Sequence, residues 1–232
     1  MLNWRVAETA REVAGLGTVT GDRAEAPTSE LLGLMGARMN FERNAEIFGE
    51  EEPADYLYKV LSGAVRICKL MSDGRRQIGA FYLPGDVFGM EPGEVHRFAA
   101  EAIADSSILI VKRSAFIIAA RRNSGMVAEL WTETMTHLQQ AQEHMLVLGR
   151  KNAQERIATF LLEMARRLSK QGAVELPMPR QDIADYLGLT IETVSRTLTQ
   201  LERDGVIAMP ASRRIVLRNR TTLDRLNDTL AA

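Results

Sequence analysis

Two textures of apolar patterning divide the chain. From Leu31 to about Arg113, apolar residues come in short runs broken by turn signals. The stretch "DYLYKVLSGAVRICKLMSDGRRQIGAFYLPGDVFGM" carries Ser62-Gly63, Asp73-Gly74 and Pro84-Gly85 at intervals of roughly ten residues. Short strands with Gly-bearing turns at that interval predict a small β-sandwich or barrel, and "FAAEAIADSSILIVKRSAF" supplies one or two further strands. After Ser114 the period lengthens to three and four. Heptad-like spacing from about Val127 to Leu148 predicts a long helix that pairs with a copy of itself through Trp131, Met135, Leu138, Met145 and Leu148. The competing reading is an amphipathic helix packed only on its own domain. Gly149 then reads as a hinge, and "RKNAQERIATFLLEMARRLSK" as a second amphipathic helix closed by Gly172.

The remainder is compact: a helix, a Gly turn, a helix, and two apolar strands around a Pro-Ala-Ser turn in "GVIAMPASRRIVLRN". Residues 1–28 show no strong period and read as an N-terminal extension, with a helical turn around Trp4–Val13. The expected organisation is therefore an extension over 1–28, a β-domain over 29–120, a dimerisation helix over 121–149 and a C-terminal module over 150–232.

Within "MPRQDIADYLGLTIETVSRTLTQLERDGVI", Pro179 suits a helix start, where its missing N–H is not needed. Ile183, Ala184 and Leu187 give that helix an apolar face, and Gly188 suits a left-handed turn. Thr190 then suits the N-cap of a second helix, which Val194, Leu198 and Leu201 anchor. Two short helices across a Gly-bearing turn are the pattern of a helix-turn-helix, whose second helix enters the DNA major groove.

Glu192, Ser195 and Arg196 share the polar face of that second helix. Arginine donates two hydrogen bonds to guanine, and glutamate accepts from the amine of cytosine. Ile191, Glu192 and Arg196 are the candidate base contacts. Arg180, Thr190, Thr193, Ser195, Thr197, Arg213 and Arg214 are the candidate phosphate contacts. Taken alone, Glu192 and Arg196 would be an ordinary surface ion pair worth about 0.3–0.5 kcal/mol.

Composition bounds the picture without changing it. The 232 residues are 46% hydrophobic and 25% charged with a net charge of -1, an ordinary globular balance. Basic residues gather late, at Arg213, Arg214, Arg218 and Arg220, which suits a docking face. With one cysteine, Cys68, neither an intramolecular disulfide nor a cysteine-held metal or iron–sulfur centre can form within the chain. No basic leader and no long apolar run is apparent, so a cytoplasmic protein without membrane contact is expected.

"GAVRICKLMSDGRRQIGAFYLPGDVFGM" resembles the cyclic-nucleotide-binding-type β-roll of the CRP/FNR family of bacterial transcription regulators. "QDIADYLGLTIETVSRTLTQLERDGVI" is similar to that family's winged helix-turn-helix. Glu192, Ser195 and Arg196 match the E-x-x-S-R signature of its FNR and FixK branch. The resemblance covers about Leu31 to Arg220. It implies an α+β fold: an N-terminal β-roll (jelly-roll), a long dimerisation helix and a C-terminal winged helix-turn-helix. It further implies a homodimer on double-stranded, palindromic promoter DNA with TTGA-like half-sites, contact with RNA polymerase, and activation of microoxic, respiratory or nitrogen-fixation genes.

The departures narrow the expectation. Residues 1–30 lack the cysteine cluster of the family's oxygen sensors. Phe88-Gly89-Met90 lacks the acidic residue of the cyclic-AMP-binding members, and His96-Arg97-Phe98 stands where their phosphate clamp would lie. His96 is also a poor candidate for the haem ligand of other members. The FixK-like pattern, the fold without an effector motif, is what remains, with no cofactor expected. Two alternatives stay open. One is a cyclic-nucleotide-responsive regulator of the same fold, with Arg97 as a displaced phosphate ligand. The other is a metal enzyme using His137 and His144 with Glu133 and Glu143. Two helical turns, about 10 Å, separate the histidines, so a solvated helix face is expected there, with no catalytic or metal site.

Overall fold

A computed structural model of the chain describes residues 33, 35–168 and 172–228. The extension over 1–28, with its expected turn at Trp4–Val13, lies outside the described residues.

Eight strands form the β-domain: β1 (Ala37–Phe41), β2 (Glu46–Phe48), β3 (Tyr56–Ser62), β4 (Val65–Leu70), β5 (Arg76–Tyr82), β6 (Val87–Phe88), β7 (Ala99–Ala102) and β8 (Ser106–Lys112). They pair antiparallel in two four-stranded sheets, ordered β1-β8-β3-β6 and β2-β7-β4-β5. This is the predicted β-roll. Alternate residues turn inward between the sheets, where Phe48, Tyr58, Val60, Val65, Phe88, Ala100 and Ile108 pack together. The turn that carries the chain from β3 in one sheet to β4 in the other depends on Gly63, whose φ is +87°; a Cβ there would lie 2.6 Å from the Asp105 carbonyl oxygen. Cys68 is buried in β4, and burial pushes its thiol pKa up, as suits a structural side chain.

Among the described residues, six helices follow or flank the sheets: α1 (Arg113–Ala120), α2 (Ser124–Arg150), α3 (Ala153–Leu168), α4 (Arg180–Leu187), α5 (Ile191–Arg203) and α6 (Arg220–Asn227). The Asn123 side chain starts α2 by accepting from the Met126 amide at 3.1 Å. Met126 then packs with Leu57, Leu109, Val111 and Phe116, which seats the head of α2 on the β-roll. The expected hinge at Gly149 is corrected: α2 continues through it to Arg150, and the chain leaves helical geometry at Lys151. Helix continuity costs only about 1 kcal/mol at a glycine, too little to outweigh the packing of Val147 and Leu148 just before it.

Strands β9 (Ala173–Glu175), β10 (Ile207–Ala211) and β11 (Arg214–Leu217) make a three-stranded sheet ordered β10-β11-β9. Pro210 and Ala211 belong to β10, so the tip of this wing is Ser212-Arg213 rather than Pro-Ala-Ser. One apolar cluster runs from Cys68, Ile78 and Phe81 of the β-roll through Phe160 and Met164 of α3 to Tyr186 of α4 and Val194 of α5. The β-domain and the C-terminal module thus share a core across the expected boundary at 150.

Gly63→Ala should lower the free energy of unfolding by about 1–3 kcal/mol, from the left-handed backbone and the blocked Cβ. Urea titration checks this: the midpoint should fall while the slope stays unchanged.

Candidate nucleic-acid interface

Helices α4 and α5 meet across Gly188, whose φ of +61° closes α4 in the left-handed conformation. The Thr190 hydroxyl accepts from the Thr193 amide at 3.2 Å and so begins α5. Val194, Leu198 and Leu201 are buried against the shared core, which fixes the roll of α5 about its axis. That roll leaves Ile191, Glu192 and Arg196 exposed. The side chains of Glu192 and Arg196 make no ion pair or hydrogen bond within the described residues, so the surface pairing considered for them is not formed. Both are free for an external partner.

The candidate phosphate contacts divide. Thr190 and Arg214 are exposed, while Thr193, Thr197, Ser195, Arg180 and Arg213 are half-buried. Arg180 Nη1 donates to Ser195 Oγ at 3.2 Å, which ties the start of α4 to the middle of α5. Arg213 Nη1 donates to the Pro177 carbonyl at 3.2 Å, and Arg214 Nε lies 3.4 Å from Glu175. These three arginines therefore start from intramolecular contacts, unlike Arg196.

Three further arginines, which the local patterns did not reveal, hold the reading head in place. Arg156 of α3 donates from Nη1 to the Leu187 carbonyl, from Nη2 to the Leu148 carbonyl and from Nε to the Lys151 carbonyl, each at 2.8 Å. It satisfies carbonyls that would otherwise end α2 and α4 unpaired, and joins the two helices at the turn. Arg66 of β4 donates to Asp182 of α4 at 2.7 Å and to Glu101 of β7 at 2.8 Å. Arg76 of β5 reaches Asp182 at 2.5 Å and Asp185 at 2.8 Å. Asp182 keeps only 2% of its side chain exposed, so its charge is met by the two guanidiniums rather than by water. The sequence held one weak signal of this: Arg66 stands among Val65, Ile67 and Cys68, in the otherwise apolar first part of its strand.

Helix α2 carries two faces. Trp131, Met135, Leu138 and Met145 are exposed, together with Val127 on the same heptad stripe. Leu148, three heptads after Val127, is half-buried beside Gly188 rather than exposed. The expectation of a solvated His face is corrected. The His137 ring meets Tyr82 edge-on at 5.4 Å, and His144 stacks on Tyr186 at 4.0 Å, because α2 lies against the β-roll and α4 along that side. His144 Nε2 is buried without a hydrogen-bond partner, and burial lowers the pKa of this imidazole. No group of His, Cys, Asp or Glu with metal-holding geometry occurs among the described residues.

A cavity of about 670 Å³ opens between β5, α2 and α3, with Gly89, Met90, Phe98, His137 and Glu163 in its lining. Arg97 is exposed and does not line it. His96 is buried in a stack on Phe48 at 3.6 Å, with Nδ1 at 3.6 Å from Glu91; burial lowers its pKa. Among the described residues, no helix is long and apolar enough to cross a membrane.

Comparison with known proteins agrees with this architecture. Residues 38–123 match the cyclic nucleotide-binding domain family, and residues 155–226 the Crp-like helix-turn-helix domain family. The nitrogen fixation regulation protein FixK of Azorhizobium caulinodans is 50% identical over 228 residues, covering 96% of this chain and 89% of the relative. The transcriptional activatory protein AadR of Rhodopseudomonas palustris is 44% identical, over 70% of each chain. The solved structure of FixK2 from Bradyrhizobium japonicum superposes with a TM-score of 0.80 at 55% identity, covering 83% of this chain and 97% of that one.

Because the folded-state pKa of His144 lies below its unfolded value, folding favours the neutral ring. Its contribution is full above the unfolded pKa of about 6.5 and is lost as pH falls below it. His144→Phe, which keeps a ring on Tyr186, should flatten the fall in melting temperature between about pH 6.5 and 5. Melting curves of both chains across that range check it; the buried His96 leaves a residual slope of the same sign.

Proposed function

The chain belongs to the CRP/FNR family of bacterial transcription regulators, in its FixK branch, and is a DNA-binding regulator. From that premise we propose that it binds palindromic promoter DNA as a homodimer without a small-molecule effector, and activates nitrogen-fixation or other microoxic genes through contact with RNA polymerase. The observation that carries the reading is the free, exposed pair Glu192 and Arg196 on a helix whose roll is locked from beneath.

Arg196 is assigned to guanine and Glu192 to cytosine or to the orientation of Arg196, with Ile191 in apolar contact at the base edges. Thr190, Thr193, Thr197, Ser195, Arg180, Arg213 and Arg214 are assigned to the flanking phosphates. Arg180, Arg213 and Arg214 would exchange intramolecular partners for phosphate oxygens on binding. The exposed stripe Trp131, Met135, Leu138 and Met145 supports pairing of two copies along α2, and a contiguous apolar stripe of this kind is costly to leave in water. Leu148 joins it only at the margin.

The cavity supports effector independence. Met90 and Phe98 line it at the positions where cyclic-AMP-binding members of the family carry an acidic residue and a small polar one; Glu91 also lines it, and Arg97 is exposed outside the lining. The role is regulatory rather than enzymatic, and it is exercised on DNA in the cytoplasm.

Selection of DNA from a random pool, with purified protein and no added nucleotide, tests the reading. A TTGA-like inverted repeat is the expected outcome. A large rise in affinity on adding cyclic AMP or cyclic GMP would sink effector independence. Arg196→Ala should lose discrimination at the guanine position by roughly 1–3 kcal/mol per half-site, whereas uniform weakening on all sequences would make Arg196 a phosphate contact. Leu138→Glu combined with Met145→Glu should yield monomers that bind the repeat poorly, as sedimentation and DNA titration would report.

A further inference from the structure

The ionic junction between the β-roll and α4 has a geometry that a merely cohesive contact does not need. Two paired strands of one sheet, β4 and β5, carry Arg66 and Arg76 at different levels of their ladder, Arg66 opposite Phe81 and Arg76 opposite Leu70, yet both guanidiniums close on α4. Asp182 receives one on each carboxylate oxygen, Asp185 fixes the second arm of Arg76, and Glu101 fixes Arg66 from the far side. Asp182 and Asp185 are three residues apart, so the pair defines the rotation of α4 about its own axis as well as its distance from the sheet. Hydrogen-bonded arginine–carboxylate contacts are directional, whereas an apolar contact permits sliding.

The covalent path to the reading head is weaker. It passes from α2 through Lys151 and Asn152 into α3, a two-residue non-helical link. A dimer of helix-turn-helix domains reads two half-sites about one helical turn apart, so the angle of each head to the dimer axis sets the half-site spacing it accepts. We infer that Arg66 and Arg76 are positioning residues for DNA recognition: through Asp182 and Asp185 they hold each reading head at the angle that matches one half-site spacing, with no ligand in that role. This inference rests on the dimeric, palindrome-binding reading above.

Arg76 and Asp185 are the members to change, because they are the less buried pair and the shared apolar core remains to keep the variants folded. The full-length chain, without added nucleotide, is titrated against three duplexes: the selected palindrome, the same palindrome with one base pair inserted between half-sites, and a single half-site. Wild type should be strongly penalised by the insertion. Arg76→Gln and Asp185→Asn should each bind the palindrome about five- to fifty-fold more weakly, the range of a typical coupling between sites. They should bind the single half-site as wild type does, and the insertion penalty should shrink. Arg76→Lys, which keeps a positive charge beside Asp182 and Asp185, should retain most of the penalty, and the melting temperature of each variant separates this from a general loss of stability. Failure of wild type to bind any palindrome overturns the dimeric reading itself. Normal wild-type binding with an unchanged insertion penalty in dimeric Arg76→Gln and Asp185→Asn, or a penalty lost as fully in Arg76→Lys as in Arg76→Gln, overturns the positioning role alone.

Discussion

A carboxylate with 2% of its side chain exposed sits at the join between the two halves of this protein, and its burial constrains everything around it. Asp182 has to keep both guanidiniums, because removing one partner of a buried pair costs about 3–5 kcal/mol. Arg66 in turn needs Glu101, and Arg76 needs Asp185. The β4–β5 hairpin and α4 are therefore fixed relative to each other by charge satisfaction. The apolar cluster from Phe81 through Phe160 to Tyr186 fills the space alongside. A second link repeats the logic more weakly, where Arg167 of α3 pairs with Asp86 and Glu163, both carboxyls whose pKa burial raises.

Helix α2 is the element that these constraints serve. One side of it is committed to its own chain by Met126, His137, His144 and Val147; the other side keeps Val127, Trp131, Met135, Leu138 and Met145 in solvent. Arg156 clasps the end of α2 to the turn of the reading head through three carbonyls. Any element that pairs on the outer stripe is thereby coupled to the helix that faces DNA, over a short and well-bonded path. The cavity between β5, α2 and α3 lies inside that path.

Local features of the reading head were legible before any coordinates. The Thr190 cap, the left-handed Gly188 and the buried row Val194, Leu198 and Leu201 follow from turn chemistry and helical period, which act over a few residues. A small β-sandwich or barrel was legible for the same reason, from turns such as Ser62-Gly63, while its identity as a β-roll came from the family resemblance. Features that depend on what lies opposite were not. Gly149 has helix-breaking propensity, but packing of the neighbouring turn overrode it. His137 and His144 share a polar-looking face, yet that face meets Tyr82 and Tyr186. Arg180, Ser195 and Arg213 read as candidate phosphate contacts, and the sequence did not show that each also has a partner within the chain.

By itself, then, the sequence determined the order of most elements, the cap and turn of the helix-turn-helix, and the residue types offered on α5, because each is settled by interactions within a few residues of chain. The tertiary structure alone decided which charges are free and which are spent. Glu192 and Arg196 are left open, whereas Arg66, Arg76 and Asp182, separated by up to 116 residues, are drawn into one buried network. Burial of a charge is priced by its surroundings in space, and no local pattern records what those surroundings will be.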